Sequence, residues 1–206
     1  MDKGHVFLVD DDHDIRFHLS DLLRQLGYGV SDFASAGEFL SQAQRVSPAV
    51  LVLDMRMPQM NGLDVQQSLI QVGWGVPIIY MSGESQNQEI IDAMKAGAID
   101  FLWKPVAHTQ LCQAIERGLN LDKQRQAQAQ RLRQVQALYD TLSKREKSIF
   151  SLMLQGHGNK HIASVQGLMA DTVKKHRAQI FHKMQVDSLA ALLAVCKDFV
   201  PSQDMG

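Results

Sequence analysis

The chain has 206 residues, 45% apolar and 21% charged, and a formal net charge of -1, which is long for one domain and enough apolar material for two cores. No apolar run approaches the roughly 18 residues of a membrane span, and Met1-Asp2-Lys3-Gly4-His5 leads into an apolar segment without a signal peptide, so a cytoplasmic protein without membrane contact is expected. Cys112 and Cys196 lie far apart with no metal-type spacing and read as reduced thiols.

The first strand is predicted at roughly His5 to Val9. Asp10-Asp11-Asp12-His13-Asp14 supplies capping residues and an acidic first turn, with Asp12 read as the cap. Ile15, Leu19, Leu22, Leu23 and Leu26 recur at helical spacing until Gly27. Tyr28 to Phe33 is a short strand, and Ser35 caps a helix carrying Phe39 and Leu40. Ser47-Pro48 precedes the apolar strand Val50-Leu51-Val52-Leu53-Asp54. Asn61 starts a helix with Leu63, Val65, Leu69 and Ile70, closed by Gly73 and Gly75. Val76 to Met81 is a strand, followed by a loop from Ser82 to Asn87 and a helix with Ile90, Ile91 and Met94. A last strand near Ile99 to Trp103 ends at Lys104-Pro105. Five alternating strands and helices read as an α/β fold with a doubly wound parallel sheet.

The strand ends carry the chemistry. Asp10 and Asp11, Asp54, Ser82 and Lys104 each follow or close an apolar run. Open α/β sheets bind ligands at the carboxyl ends of their strands. Alone, Asp54 would read as a turn or cap residue; the other ends change that. Three carboxylates around one point repel one another and call for a cation, and oxygen ligands suit Mg²⁺. Lys104 and Ser82 would add the positive charge and hydroxyl that a phosphoryl group on Asp54 needs. No glycine-rich dinucleotide loop follows the first strand, and no Walker sequence occurs.

The back half differs. Residues 123–183 contain Lys123, Arg125, Arg131, Arg133, Lys144, Arg145, Lys147, Lys160, Lys174, Lys175, Arg177 and Lys183, against Asp140, Glu146 and Asp171. This asymmetry suggests separate tasks for the halves. Leu111, Ile115 and Leu119 begin a helix predicted from about His108 to about Tyr139, whose later part reads as a solvated spacer. Leu142-Ser143 with Glu146 gives a capping box. Asn159 is expected to cap the next helix, and Gly167 to turn into another with Thr172, Val173, Ile180 and Met184. Leu189, Leu192, Leu193 and Val195 mark the last helix. The pair around Gly167 has helix-turn-helix spacing.

Residues 5–120 resemble the receiver domain of bacterial two-component response regulators, through Asp10-Asp11, Leu53-Asp54-Met55-Arg56-Met57-Pro58, Ser82 and Lys104-Pro105. The resemblance implies a flavodoxin-like strand order of 2-1-3-4-5. It implies Asp54 as phosphoacceptor, and Mg²⁺ (or Mn²⁺) held by Asp10, Asp11, Asp54 and the Arg56 carbonyl. Ser82 would be the switch hydroxyl, Phe101 the switch aromatic and Lys104 the phosphoryl-binding lysine. Residues 142–196 resemble the LuxR-type DNA-binding domain of the NarL/FixJ subfamily, through Leu142-Ser143-Lys144-Arg145-Glu146, Asn159-Lys160 and Thr172-Val173-Lys174-Lys175-His176-Arg177. That places Lys174, Lys175 and Ala178 toward the major groove, and Lys160, Thr172 and Arg177 at phosphates or in helix positioning. Three departures stand out: His157 where an apolar residue is usual, Gln166 in place of a core Leu, and Met169 in place of the capping Ser or Thr.

The expected organisation is a receiver over 1–120, a linker helix over 121–141 and a helix-turn-helix domain over 142–206. The expected function is a transcription factor phosphorylated by a sensor histidine kinase. It would bind double-stranded promoter DNA, form a homodimer when phosphorylated, and have RNA polymerase as a further candidate partner. An Asp-nucleophile phosphohydrolase is disfavoured because its general acid would stand two residues after Asp54, where Arg56 stands. A regulator with degenerate DNA binding, acting through protein partners, is the alternative motivated by Gln166 and Met169.

Overall fold

A strand covered on both faces needs an unbroken apolar run. Accordingly β3 (Ala49–Asp54) and β4 (Ile78–Ser82) are buried at every position. The computed structural model describes residues 3–200. The chain divides into two units between Gln126 and Ala127.

In the first unit β1 (His5–Val9), β2 (Gly29–Phe33), β3, β4 and β5 (Asp100–Trp103) form one parallel sheet of order β2-β1-β3-β4-β5. Their connections contain α1 (His13–Gln25), α2 (Ala36–Gln42), α3 (Gly62–Gln71) and α4 (Asn87–Lys95), and α5 (His108–Asp140) follows β5. Alternate strand residues face opposite layers. Phe7, Leu51, Leu53 and Tyr80 pack with Phe39, Val65 and Leu69. Val6, Leu8, Val50, Val52 and Ile79 pack with Leu23, Leu111, Ile115 and Leu119. Val9 pairs with Leu53, so Asp10 and Asp54 leave adjacent strands side by side. Gly62 lets α3 start against that edge: a Cβ there would lie 2.7 Å from the Tyr80 ring and 2.9 Å from the Asp54 carbonyl.

The second unit contains the end of α5, then α6 (Lys144–Leu154), α7 (Asn159–Gln166), α8 (Ala170–Lys183) and α9 (Leu189–Val195). Its core includes Val135, Tyr139, Phe150, Met153, Ile162, Val173, Ile180 and Leu192. The turn between α7 and α8 is made by Gly167 at φ 63°, a left-handed conformation that suits glycine.

Several local expectations change. The helix end read as a solvated spacer is partly core: Val135 and Tyr139 are buried in the second unit, and Asp122 is buried in the first. Leu132, Val135 and Leu138 share a helical stripe that the sequence shows, and that stripe packs into the second core. Asn159 is the first residue of α7 and not its cap, which is Gly158 without a side-chain bond. Ile70, Ile91 and Met94, assigned to apolar stripes, are exposed.

Candidate phosphoacceptor site and nucleic-acid face

Asp10, Asp11 and Asp54 each bring a carboxylate oxygen within 4.8 Å of the others. Asp10 and Asp54 are buried and Asp11 is exposed. Parallel register places the first and last of these side by side, and Asp12 caps α1 by accepting from the Asp14 and Ile15 N–H groups. The Asp12 N–H donates to Asp10 Oδ1 at 3.0 Å. Arg16 reaches back from α1 to the Asp10 and Asp11 carbonyls at 2.8 and 3.1 Å. The acidic loop is therefore held both by Arg16 on its carbonyls and by its own Asp10 and Asp12 carboxylates.

Lys104 enters from the end of β5. Its Nζ donates to Asp10 Oδ2 at 2.6 Å and lies 3.2 Å from Asp54 Oδ2. Burial alone would depress the Lys104 ammonium, but its bonds to Asp10 and then Asp54 outweigh it and hold the pKa above the ordinary lysine value. Burial, opposed by Lys104 and reinforced by Asp10, raises the Asp54 carboxyl above its ordinary value. One ammonium thus meets two of three converging carboxylates. That excess of hard oxygen donors fits a divalent cation.

The other expected residues surround this cluster differently. Ser82 closes β4, but its hydroxyl donates to the Glu84 carbonyl at 2.7 Å and accepts from the Glu84 N–H at 3.2 Å. It is engaged by its own loop. Phe101 is half-buried, with its ring edge-on to exposed Trp103 at 5.1 Å. The Arg56 N–H points to Asp54 Oδ1 at 3.4 Å, while its guanidinium pairs with Glu89 of α4 at 3.2 Å.

In the second unit Lys160, Lys174, Lys175 and Ala178 are exposed, and Thr172 and Arg177 are half-buried. Lys174, Lys175, Ala178 and His182 recur at helical spacing on the open side of α8, opposite buried Val173 and Ile180. Lys174 lies 3.4 Å from Asp171, and the Arg177 guanidinium sits 5.8 Å over the Phe181 ring. Met169 makes no side-chain cap to α8.

Two family models match: the response regulator receiver domain over residues 6–116, and the bacterial regulatory proteins of the luxR family over residues 140–196. The response regulator protein TodT of Pseudomonas putida is 39% identical over 92% of this chain and 84% of its own. The transcriptional regulatory protein FixJ of Rhizobium meliloti is 35% identical over 96% of this chain and 98% of its own. The solved structure of the response regulator StyR has a TM-score of 0.81 and 38% identity, covering 95% of this chain and 99% of that one. This chain is a two-component response regulator of the NarL/FixJ family.

The regulator is therefore a phosphorylation-regulated transcription factor with a receiver acid cluster and a LuxR-type helix-turn-helix unit. Its family has histidine kinases and DNA as interaction partners. Among the described residues, no helix is long and apolar enough to cross a membrane.

Four features of this regulator escaped sequence reasoning. Asp122 accepts from the Ser47 hydroxyl at 2.7 Å and the Ala49 N–H at 3.0 Å, fastening α5 to the start of β3. Buried Gln66 accepts from the Tyr80 hydroxyl at 3.0 Å and donates to the Ala93 carbonyl at 3.3 Å. Glu146 receives Lys183 at 2.6 Å. Arg145 grips Gln166, so the departure at that position has a polar partner. The first three pair residues far apart in sequence. Gln66 left a local trace, a polar residue among the apolar positions of its helix, as did Gln166, a polar residue where leucine is usual.

Proposed function

We propose that Asp54 is the phosphoacceptor of residues 1–120 and that its phosphorylation by a sensor histidine kinase controls promoter binding by residues 142–206, with 121–141 as the connecting helix segment. The supporting observation is Lys104 bridging Asp10 and Asp54 at the edge where three carboxylates converge. Asp10, Asp11, Asp54 and the Arg56 carbonyl would hold Mg²⁺ (or Mn²⁺). When bound, that ion offsets charge on the phosphoryl oxygens.

An Asp54 carboxylate oxygen attacks phosphorus. The new P–O bond forms as the donor's P–N bond breaks, and the electron pair stays on the kinase imidazole. Lys104, already aimed at Asp54, then offsets charge on the transferred group. Ser82 would exchange the Glu84 carbonyl for a phosphoryl oxygen, and Phe101 would turn into the space Ser82 vacates. The protein itself takes the phosphoryl group and turns over no external substrate.

Intact mass after treatment with a small-molecule phosphodonor and Mg²⁺ tests the assignment. One phosphoryl group is expected on the wild type and none on Asp54→Asn; an equal addition to D54N overturns it. In the output unit, Lys174, Lys175 and Ala178 face bases, while Lys160, Thr172 and Arg177 serve phosphates or helix positioning. Phosphorylation would favour a homodimer, which doubles the contacts of one recognition helix on a two-fold site. RNA polymerase is a further partner at the promoter, and the setting is cytoplasmic. Sedimentation at matched concentrations should show a larger species after phosphorylation; monomer in both states, with and without DNA, overturns the dimer.

A further inference from the structure

The last residue of α7 is Gln166, and only Gly167, Leu168 and Met169 separate it from α8. Both Gln166 oxygens are held from α6. Arg145 Nη2 donates to its carbonyl at 2.9 Å, and Arg145 Nη1 donates to its side-chain Oε1 at 3.3 Å. The start of α8 has no side-chain cap of its own, whereas its end is fastened by Lys183 to Glu146. The half of α8 bearing Lys174 and Lys175 therefore depends on how the preceding turn is fixed.

We propose that Arg145 is a positioning residue for DNA recognition, acting through both oxygens of Gln166 to set the turn that aims the first half of α8. The inference rests on α8 being the helix that reads DNA. A guanidinium suits this task because its rigid fork can serve two oxygens at once, which a lysine ammonium does less well. Gln166 supplies an acceptor that the usual leucine lacks. Arg145 is solvent-exposed, so the grip is modest in strength and its effect falls on geometry.

The test first enriches a site from random genomic fragments with phosphorylated wild-type protein. Fluorescence anisotropy then compares that duplex with a scrambled one at several salt concentrations. Arg145→Ala is expected to lower the ratio of specific to scrambled affinity about fivefold, the scale of one ordinary net hydrogen bond at an exposed position. Scrambled-duplex affinity and the salt slope should stay at wild-type values. Gln166→Leu should lower the ratio less, and R145A should add less in that background. An unchanged ratio overturns the proposal. A slope reduced by about one also overturns it, since that marks a direct phosphate contact. If R145A fails to fold by thermal melting, Arg145→Lys decides: it keeps the charge, and an unaltered ratio refutes positioning. Failure of the wild type to enrich any site overturns DNA reading by α8 and this proposal together, whereas an enriched site with unaffected variants overturns this proposal alone.

Discussion

The acid cluster and the open side of α8 are both charged, yet they are built in opposite ways. Asp10, Asp54 and Lys104 come from three strand ends, and both buried carboxylates meet one ammonium at 2.6 and 3.2 Å. Lys174, Lys175 and Ala178 come from one helix and lie in solvent. The first arrangement has its geometry enforced by the sheet, so removing one group should change chemistry abruptly. The second depends on where a helix is aimed, so its single side chains should contribute in smaller, separable amounts.

The sharpest test of that contrast is Lys104→Ala. Phosphoryl uptake from a small-molecule donor should slow about hundredfold, the scale expected when one preorganised electrostatic group is lost. An uptake rate within a few-fold of wild type would mean that Lys104 only neutralises Asp10.

Among the described residues of the output unit Glu146 is the buried charge, and the next effect falls there. Glu146 is nearly inaccessible, while Lys183 is half-exposed. Glu146→Ala should destabilise this unit by about 2 kcal/mol, below the range for a fully buried pair because solvent screens the lysine. Burial would raise the Glu146 carboxyl, but Lys183 and the Ser143 cap outweigh it and leave it below its ordinary value. A lowered carboxyl contributes stability above its unfolded value, near about 4.3 for glutamate, and loses it as pH falls through the folded value. Thermal melts of wild type and Glu146→Gln should therefore converge as pH falls from about 4.3 through the lowered folded value. Parallel melting curves across that range would contradict the pairing.

The smallest effects belong to exposed lysines of α7 and α8. Lys174→Ala or Lys175→Ala should cost about 1 kcal/mol of preference for a specific duplex over a scrambled one, the low end for a base contact. Lys160→Ala should weaken both duplexes alike and reduce the salt slope by about one. Equal behaviour of all three variants on both duplexes would erase the distinction between base and phosphate contacts.

The two regions also differed in how much the sequence disclosed. The strand ends were legible because apolar runs mark buried strands, and parallel register then places Asp10 beside Asp54 without knowledge of side-chain detail. The Ser143-Glu146 capping box and the Gly167 turn were legible because their signals span only a few residues. Asp122 with Ser47, and Glu146 with Lys183, were hidden because nothing in a helix's own pattern names a partner 75 or 37 positions away. Ser82 was placed correctly at a strand end, but its hydroxyl direction is set by competition with the Glu84 backbone, which residue type does not reveal. The uncapped start of α8 followed directly from Met169, whereas the compensating grip on Gln166 needed the fold.

The buried Asp122 carboxylate bears on where this protein can be cut. The receiver match stops at residue 116, whereas Leu119 packs into the sheet layer and Asp122 receives the Ser47 hydroxyl and Ala49 N–H. A fragment ending at that boundary would expose the packed layer and leave the Ala49 N–H without its acceptor, at the start of the strand that ends in Asp54. Loss of such a bond costs about 1–3 kcal/mol where the group stays buried. The packed first unit is thus longer than its recognisable stretch, and its last turn is drawn from residues that otherwise look like tether.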